Sequence, residues 1–379
     1  MQRIAIAPRP DYKEKLEALS FEFHSLGGCY WNEGAYYKFS MPQILKLEEV
    51  TNELFQMCLH AVQYVIDKNL FDRFCIEDAL IPLIIRSWEN EEPSFYGRFD
   101  FGYDGVNEPK MLEFNADTPT SLYEASVVQW YWLQEVMKGK DQFNSMHEKL
   151  INYWKSCLDY FNNEVVHFAC INHEIVEDFT TVEYIRDTAY QAGINTKFIY
   201  IEDIGWDEAR QMFVDLEGQP IYNIFKLYPW EWLMGEEFGV NIPKDVNQSK
   251  WIEPAWKAIL SNKAILPILW ELYPNHPNLL ECYFDEPHGM TDYVEKPIYS
   301  REGANVTIYH NEDVMEFADG EYGDEGFVYQ KLFEIPNMNG NYPIIGSWVI
   351  GGESAGMGIR ESDGRITGNL SRFVPHIID

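Results

Sequence analysis

The sequence predicts a mixed α/β (α+β) protein, and three observations predict it. Apolar residues recur at helical spacing in two long segments, a strand, a helix and a second strand alternate between Val165 and Ile201, and short strands divided by turns fill the last third. A chain of 379 residues that is 46% hydrophobic and 16% aromatic has enough apolar material for two or three lobes with cores of their own.

Taken in order, the elements are these. Leu47, Val50, Leu54, Met57, Leu59, Ala61, Val62 and Val65 give an amphipathic helix from Leu45 to Asn69, expected to back a sheet. Gly97-Arg98-Phe99-Asp100 and Leu112-Glu113-Phe114-Asn115-Ala116-Asp117 read as a strand pair, the second strand entered by a turn at Pro109-Lys110. A helical pattern runs from Ser121 through Val127, Val128, Trp130, Tyr131, Leu133 and Val136 to Gly139. A buried strand from Val165 to Ile171, a helix from Thr180 to Ala192 and a strand from Thr196 to Ile201 make a βαβ unit. Thr180 and Glu183 fit a capping box, which sets Glu177 and Asp178 just ahead of a helix N-terminus, where the dipole stabilises them. The remaining strands are expected at Ile221–Phe225, Ala264–Trp270, Asp292–Lys296, Asn305–Tyr309, Phe327–Phe333 and Ile344–Ile350. The Gly351-Gly352-Glu353-Ser354-Ala355-Gly356 run reads as a flexible turn, because no helix pattern follows it as a dinucleotide loop requires.

Charge and cysteine usage narrow the partners. With 61 acidic against 29 basic residues, the net charge of -32 opposes binding to nucleic acid and to anionic membranes and favours polycations such as polyamines. The 6 cysteines are scattered without a CxxC pair and read as reduced thiols of a cytoplasmic protein. No apolar stretch approaches the roughly 18 residues of a spanning helix.

The chemistry-bearing residues begin on the strand pair. Alternation puts Glu113 and Asn115 on one strand face, with Asp100 as a third oxygen donor and Arg98 beside it. Such hard donors suit Mg²⁺ with nucleotide phosphates completing its shell, and a guanidinium can grip a phosphate or carboxylate bidentately. A hairpin with a solvated polar face would give the same pattern. Lys263 is expected to open a strand and Lys296 to close one before Pro297 and the Arg301-Glu302-Gly303 loop, positions from which a flexible cation meets a phosphate while the loop closes over it. The alternating strand Phe327–Phe333 would read an adenine edge, with Gln330 adding a side-chain contact. Each feature alone has an ordinary explanation as a solvated lysine, a turn glycine or an exposed strand residue. The set points to ATP and Mg²⁺.

At these residues, together with Gly356-Met357-Gly358-Ile359-Arg360-Glu361 and Ser371-Arg372-Phe373-Val374-Pro375-His376, the chain resembles the synthetase domain of glutathionylspermidine synthase and its stand-alone relatives. The resemblance covers nearly the whole chain and implies a permuted ATP-grasp fold with an additional βαβ (pre-ATP-grasp-like) substrate lobe. It implies a catalytic region over 1–140 and 251–379, with the substrate lobe inserted at 141–250. It further implies Asp100, Glu113 and Asn115 on Mg²⁺, and Lys263, Lys296, Arg301, Gly303, Gln330 and Leu332 around ATP. Arg98 and Arg360 would stand at the transferring phosphate, Thr118 and Thr120 by the acid, and Glu177 and Asp178 at an amino-group pocket. The family's bifunctional members carry a Cys/His amidase ahead of this region; here only the ligating half is expected, and Cys29 with His24 lacks the third group a hydrolytic dyad needs.

The expected reaction is ATP-dependent joining of a small-molecule or short-peptide acid to an amine through an acyl phosphate. One rival is a nucleotide-binding or partner-binding module without turnover. The other is a glycoside hydrolase, suggested by 12 Trp, 24 Tyr and many carboxylates, which leaves Lys263, Lys296 and the Arg301 loop unexplained.

Overall fold

The computed structural model describes residues 1–172, 176–368 and 371–379. At its centre is an antiparallel sheet with strand order Arg372–Phe373, Glu353–Ser362, Tyr342–Ile350, Tyr96–Gly102 and Lys110–Asn115. The helix Met41–Lys68 crosses it and buries Leu47, Val50, Leu54, Ala61 and Val65. Its start is fixed by a capping box between Ser40 and Gln43, with Pro42 in the first turn, where a missing N–H costs nothing.

A second sheet is wholly parallel, in the order Lys250–Ile252, Asn223–Leu227, Val166–Cys170, Thr196–Tyr200, and contains the expected βαβ unit around the helix Glu177–Gln191. The middle strands Val166–Cys170 and Asn223–Leu227 are buried along their whole length, as parallel strands covered on both faces are. The third sheet is antiparallel, in the order Cys282–Phe284, Phe327–Lys331, Tyr293–Pro297, Thr307–His310, Asp313–Phe317. A small sheet joins the two chain ends, Gln2–Ala5 and His376–Ile378 flanking Ala35–Phe39. Among the described residues no helix is long and apolar enough to cross a membrane.

Four local readings change. Ala264–Trp270 is not a strand: Ile265–Leu272 is a buried helix, and Pro267 is tolerated there because it lies in the first turn, where the N–H has no helical acceptor. The turn at Gly351-Gly352 is real, with φ of 58° and 87°, but it leads straight into the ten-residue strand Glu353–Ser362. The helix expected from Ser121 contains a π segment, Glu124–Val128, before Gln129–Val136. It buries Trp132 and leaves Trp130 exposed. Finally, Glu177 and Asp178 lie inside the first turn of their helix, and Glu183 pairs with Arg186 instead of closing a box with Thr180.

Candidate active site

The expected strand pair is an antiparallel hairpin in which Asp100 faces Glu113 and Arg98 faces Asn115. The Arg98 guanidinium grips the Asp100 carboxylate at 2.6 and 3.0 Å and donates to the Thr120 carbonyl at 2.7 Å. The Asn115 amide nitrogen lies 3.2 Å from Asp100 and 3.1 Å from Glu113, so both carboxylates converge on the point it occupies. Turning that amide over, an assignment that rests on hydrogen bonding alone, brings a third oxygen to the same point. Two carboxylates and an amide are a donor set that Mg²⁺ accepts when phosphates and water complete the octahedron, so the residues fit the ion. Burial raises the pKa of Asp100, with Arg98 opposing. Burial would raise Glu113 as well, but Lys263 and Lys296 outweigh it and hold its pKa at about 2.

Lys263 is placed by the turn before the helix Ile265–Leu272; its ammonium lies 3.3 Å from Glu113 and donates to the Ser300 carbonyl at 2.7 Å. Lys296, at the end of its strand, donates to the Leu112 carbonyl at 2.9 Å and to Gln330 at 2.7 Å. Burial lowers its pKa to about 8, with Glu113 opposing. Two cavities meet at this junction. The first is lined by Lys296, Gln330 and Leu332 with apolar walls from Val294, Ile308 and Ile344. The second holds Arg98, Asn115, Thr118, Thr120, Glu177, Asp178, Arg301 and Arg360. Asp100, Glu113, Lys263, Gly303 and Thr367 line both, so every candidate residue faces one continuous cleft.

Several placements differ from the expected contacts. Gln330 is buried and engaged with Lys296 and the Met111 carbonyl, and the N–H groups of Lys331 and Leu332 already donate to Glu281 and Asp292. Arg301 turns away from the first cavity and bridges Thr118 at 2.9 Å and Glu231 at 2.6 Å, with its guanidinium over the Trp232 ring. Arg360 donates to the Gly368 carbonyl, and its Nε is buried with no partner among the described residues. Burial, with Glu124 adding to it, pushes Glu177 up to about 7, although a hydrogen bond to Thr120 and the charge of Arg360 oppose the shift. Cys29 donates to the Trp31 carbonyl and His24 bonds Ser25, so the two form no dyad. The hairpin's two carboxylates, Asp100 and Glu113, are paired with Arg98 and Lys263, cations that a glycoside hydrolase leaves unexplained.

Some cleft residues carry no sequence signal. Tyr30 reaches the second cavity from the Gly-Gly-Cys-Tyr-Trp segment and donates at 2.6 Å to Glu124, which is fully buried at the start of the π segment. Glu231 and Trp232 arrive from the short helix Trp230–Gly235, and Thr367 from the segment that follows the strand Glu353–Ser362. The π segment is of a kind that recurs at functional sites, but nothing in its residues marks it in the sequence.

Residues 3–379 match the family described as glutathionylspermidine synthase preATP-grasp. A Haemophilus influenzae protein named "Putative acid--amine ligase" is 44% identical over 99% of both chains. Trypanothione synthetase of Crithidia fasciculata is 30% identical over 82% of this chain, and the bifunctional glutathionylspermidine synthetase/amidase of Escherichia coli is 28% identical over 92%. The match spans 51% and 60% of those two longer relatives. Among solved structures, a glutathione synthetase-like effector of Globodera pallida, in apo form, superposes with a TM-score of 0.59 at 12% identity over 99% of this chain and all of its own. At that identity the likeness carries the fold alone, an ATP-grasp architecture. With a match from Arg3 to Asp379 and the cleft described above, the chain belongs to the glutathionylspermidine synthase family.

Proposed function

We propose that this protein is an ATP-dependent ligase that joins a small or short-peptide carboxylic acid to a primary amine, a polyamine or an amino acid, through an acyl phosphate, in the cytoplasm. The observation that carries the reading is the 3.3 Å contact between Lys263 and Glu113, which puts late-chain cations and early-chain oxygen donors on one wall between the two cavities. The first cavity takes the nucleotide, base against Val294, Ile308, Leu332 and Ile344 and phosphates toward Lys263 and Lys296. Asp100, Glu113 and Asn115 would hold Mg²⁺, which would neutralise charge on the phosphate oxygens. The second cavity takes acid and amine.

Little covalent chemistry falls to the protein. Arg98, paired with Asp100 beside the hairpin's oxygen donors, and Arg360, whose Nε lacks a partner among the described residues, would oppose the charge that develops on a transferring phosphoryl group. An attacking amine must be neutral. Glu177, standing at about 7 and lining the amine side, is suited to take its proton. The loop carrying Arg301 and Gly303 covers the junction and keeps water from the activated acid.

The reading is tested by measuring ADP release and amide formation from MgATP across a panel of acids (glutathione, short peptides, amino acids) crossed with amines (spermidine, putrescine, amino acids). Amine-dependent turnover is expected for at least one pair, abolished by Lys296→Ala and by Glu113→Ala. Nucleotide binding with no turnover across the whole panel would instead favour a binding module.

A further inference from the structure

Beneath the cleft lies an ion pair with no solvent exposure at either end. Lys226, on the fully buried strand Asn223–Leu227, donates to Asp117 at 2.8 Å and to the Tyr228 carbonyl at 2.8 Å, and sits over the Trp230 ring. The other oxygen of Asp117 accepts the Trp230 N–H at 3.0 Å. A buried pair of this kind rarely adds stability, because apolar residues of the same volume do as well or better, whereas losing one partner strands a buried charge and is strongly destabilising. Its geometry suggests what it does instead.

Asp117 precedes Thr118 in the chain, and the residue whose N–H it accepts precedes Glu231. Thr118 and Glu231 are the two acceptors of Arg301. One buried carboxylate therefore fixes both ends of the bridge that Arg301 makes. Arg301 in turn holds the loop that contains Gly303, which lies so close to Thr367 that a Cβ there would come within 2.6 Å of the Thr367 carbonyl. The same loop receives Lys263 at the Ser300 carbonyl. We propose that Asp117, clamped by Lys226, is a positioning residue that holds the Arg301 loop shut over the junction and thereby couples ATP consumption to amide formation.

The coupling clause rests on the ligase reading. With the loop open, water attacks the acyl carbon of the acyl phosphate, the C–O bond to phosphate breaks with its electron pair leaving on phosphate, and the acid is regenerated with release of a proton. ATP is then consumed without amide.

Two variants test this, Asp117→Asn and the charge-free double variant Asp117→Leu/Lys226→Met, which avoids stranding a buried charge. Each is compared with Arg301→Ala. The yield of amide per ADP is expected to fall about tenfold in all three, since a small misplacement of the loop acts on the reacting geometry. Asp117→Asn is expected to add nothing to Arg301→Ala, because both act through one bridge. Amide exchange over residues 298–306, measured with MgATP bound, is expected to run about tenfold faster in the variants. A double variant that melts like wild type, keeps its amide yield and protects this loop equally overturns the proposal. If the wild type forms no amide at all, the ligase reading fails by itself, and the exchange measurement still decides whether Asp117 holds the loop.

Discussion

Lys296 and Glu113 oppose each other's burial shifts at the wall between the cavities, and the balance gives the proposed nucleotide site a pH dependence with a defined sign. Burial lowers Lys296 to about 8, so below that pH the ammonium is already charged when ATP arrives. Above it, binding must first add a proton, so affinity falls by up to tenfold per pH unit. Calorimetric dissociation constants for MgATP should be flat from about pH 6.5 to 8 and weaken beyond, and Lys296→Arg should remove the bend, since arginine stays protonated. The proposed role of Glu177 as proton acceptor is separable by the choice of amine. Hydroxylamine is mostly neutral at pH 7 and attacks without first giving up a proton, the one it sheds on acylation passing to the departing phosphate, so Glu177→Gln should lose about two orders of magnitude with an ammonium substrate and keep hydroxamate formation near wild type. Equal loss with both would leave Glu177 a binding residue only.

At the scale of elements, the central sheet holds the site by close approach. Gly346 pairs with Asp100 across the sheet, and a Cβ on it would come within 2.8 Å of Arg98 Cδ. Gly346→Ala should therefore move Arg98 and cut kcat at least about tenfold while changing the melting temperature little. The C-terminal strand behaves differently. His376 is fully buried, receives the Phe143 N–H on Nε2 and, as the neutral tautomer, donates from Nδ1 to Gln129. Burial drives its pKa from 6.5 to about 3. The folded value is depressed, so this stability is fully present above pH 6.5 and is lost at about 1.4 kcal/mol per unit as pH falls toward 3. Melting curves between pH 7 and 4 should show that slope, and His376→Gln should flatten it.

Elements of this kind also show what was legible before folding. The hairpin was, because alternation alone puts Glu113 and Asn115 on one face. Ile265–Leu272 was not, since a short continuous apolar run suits a buried helix and a buried strand equally. Glu353–Ser362 was hidden because the run Gly351–Gly356 reads as a turn, whereas Gly356 belongs to the strand, where the Phe143 carbonyl crowds it as Phe373 crowds Gly358. Asp117, Tyr30 and Glu124 act through partners 109, 94 and 94 positions away, and no local pattern records such contacts.

Over the whole molecule, the charge of -32 makes a field that favours cations. For a polyamine or other multiply charged amine, kcat/KM should fall several-fold between about 0.02 and 0.3 M salt while the value for a neutral amine stays level, since screening removes long-range attraction only. The three large sheets meet at one cleft, where the proposed ligase activates an acid as its acyl phosphate at the wall shared by two cavities and an amine then captures it. Supplying the acid with oxygen-18 in its carboxylate tests this most directly. One labelled oxygen should appear in the inorganic phosphate for each amide formed, with ADP as the other product. Unlabelled phosphate accompanying amide formation, or release of AMP and pyrophosphate, would contradict the account.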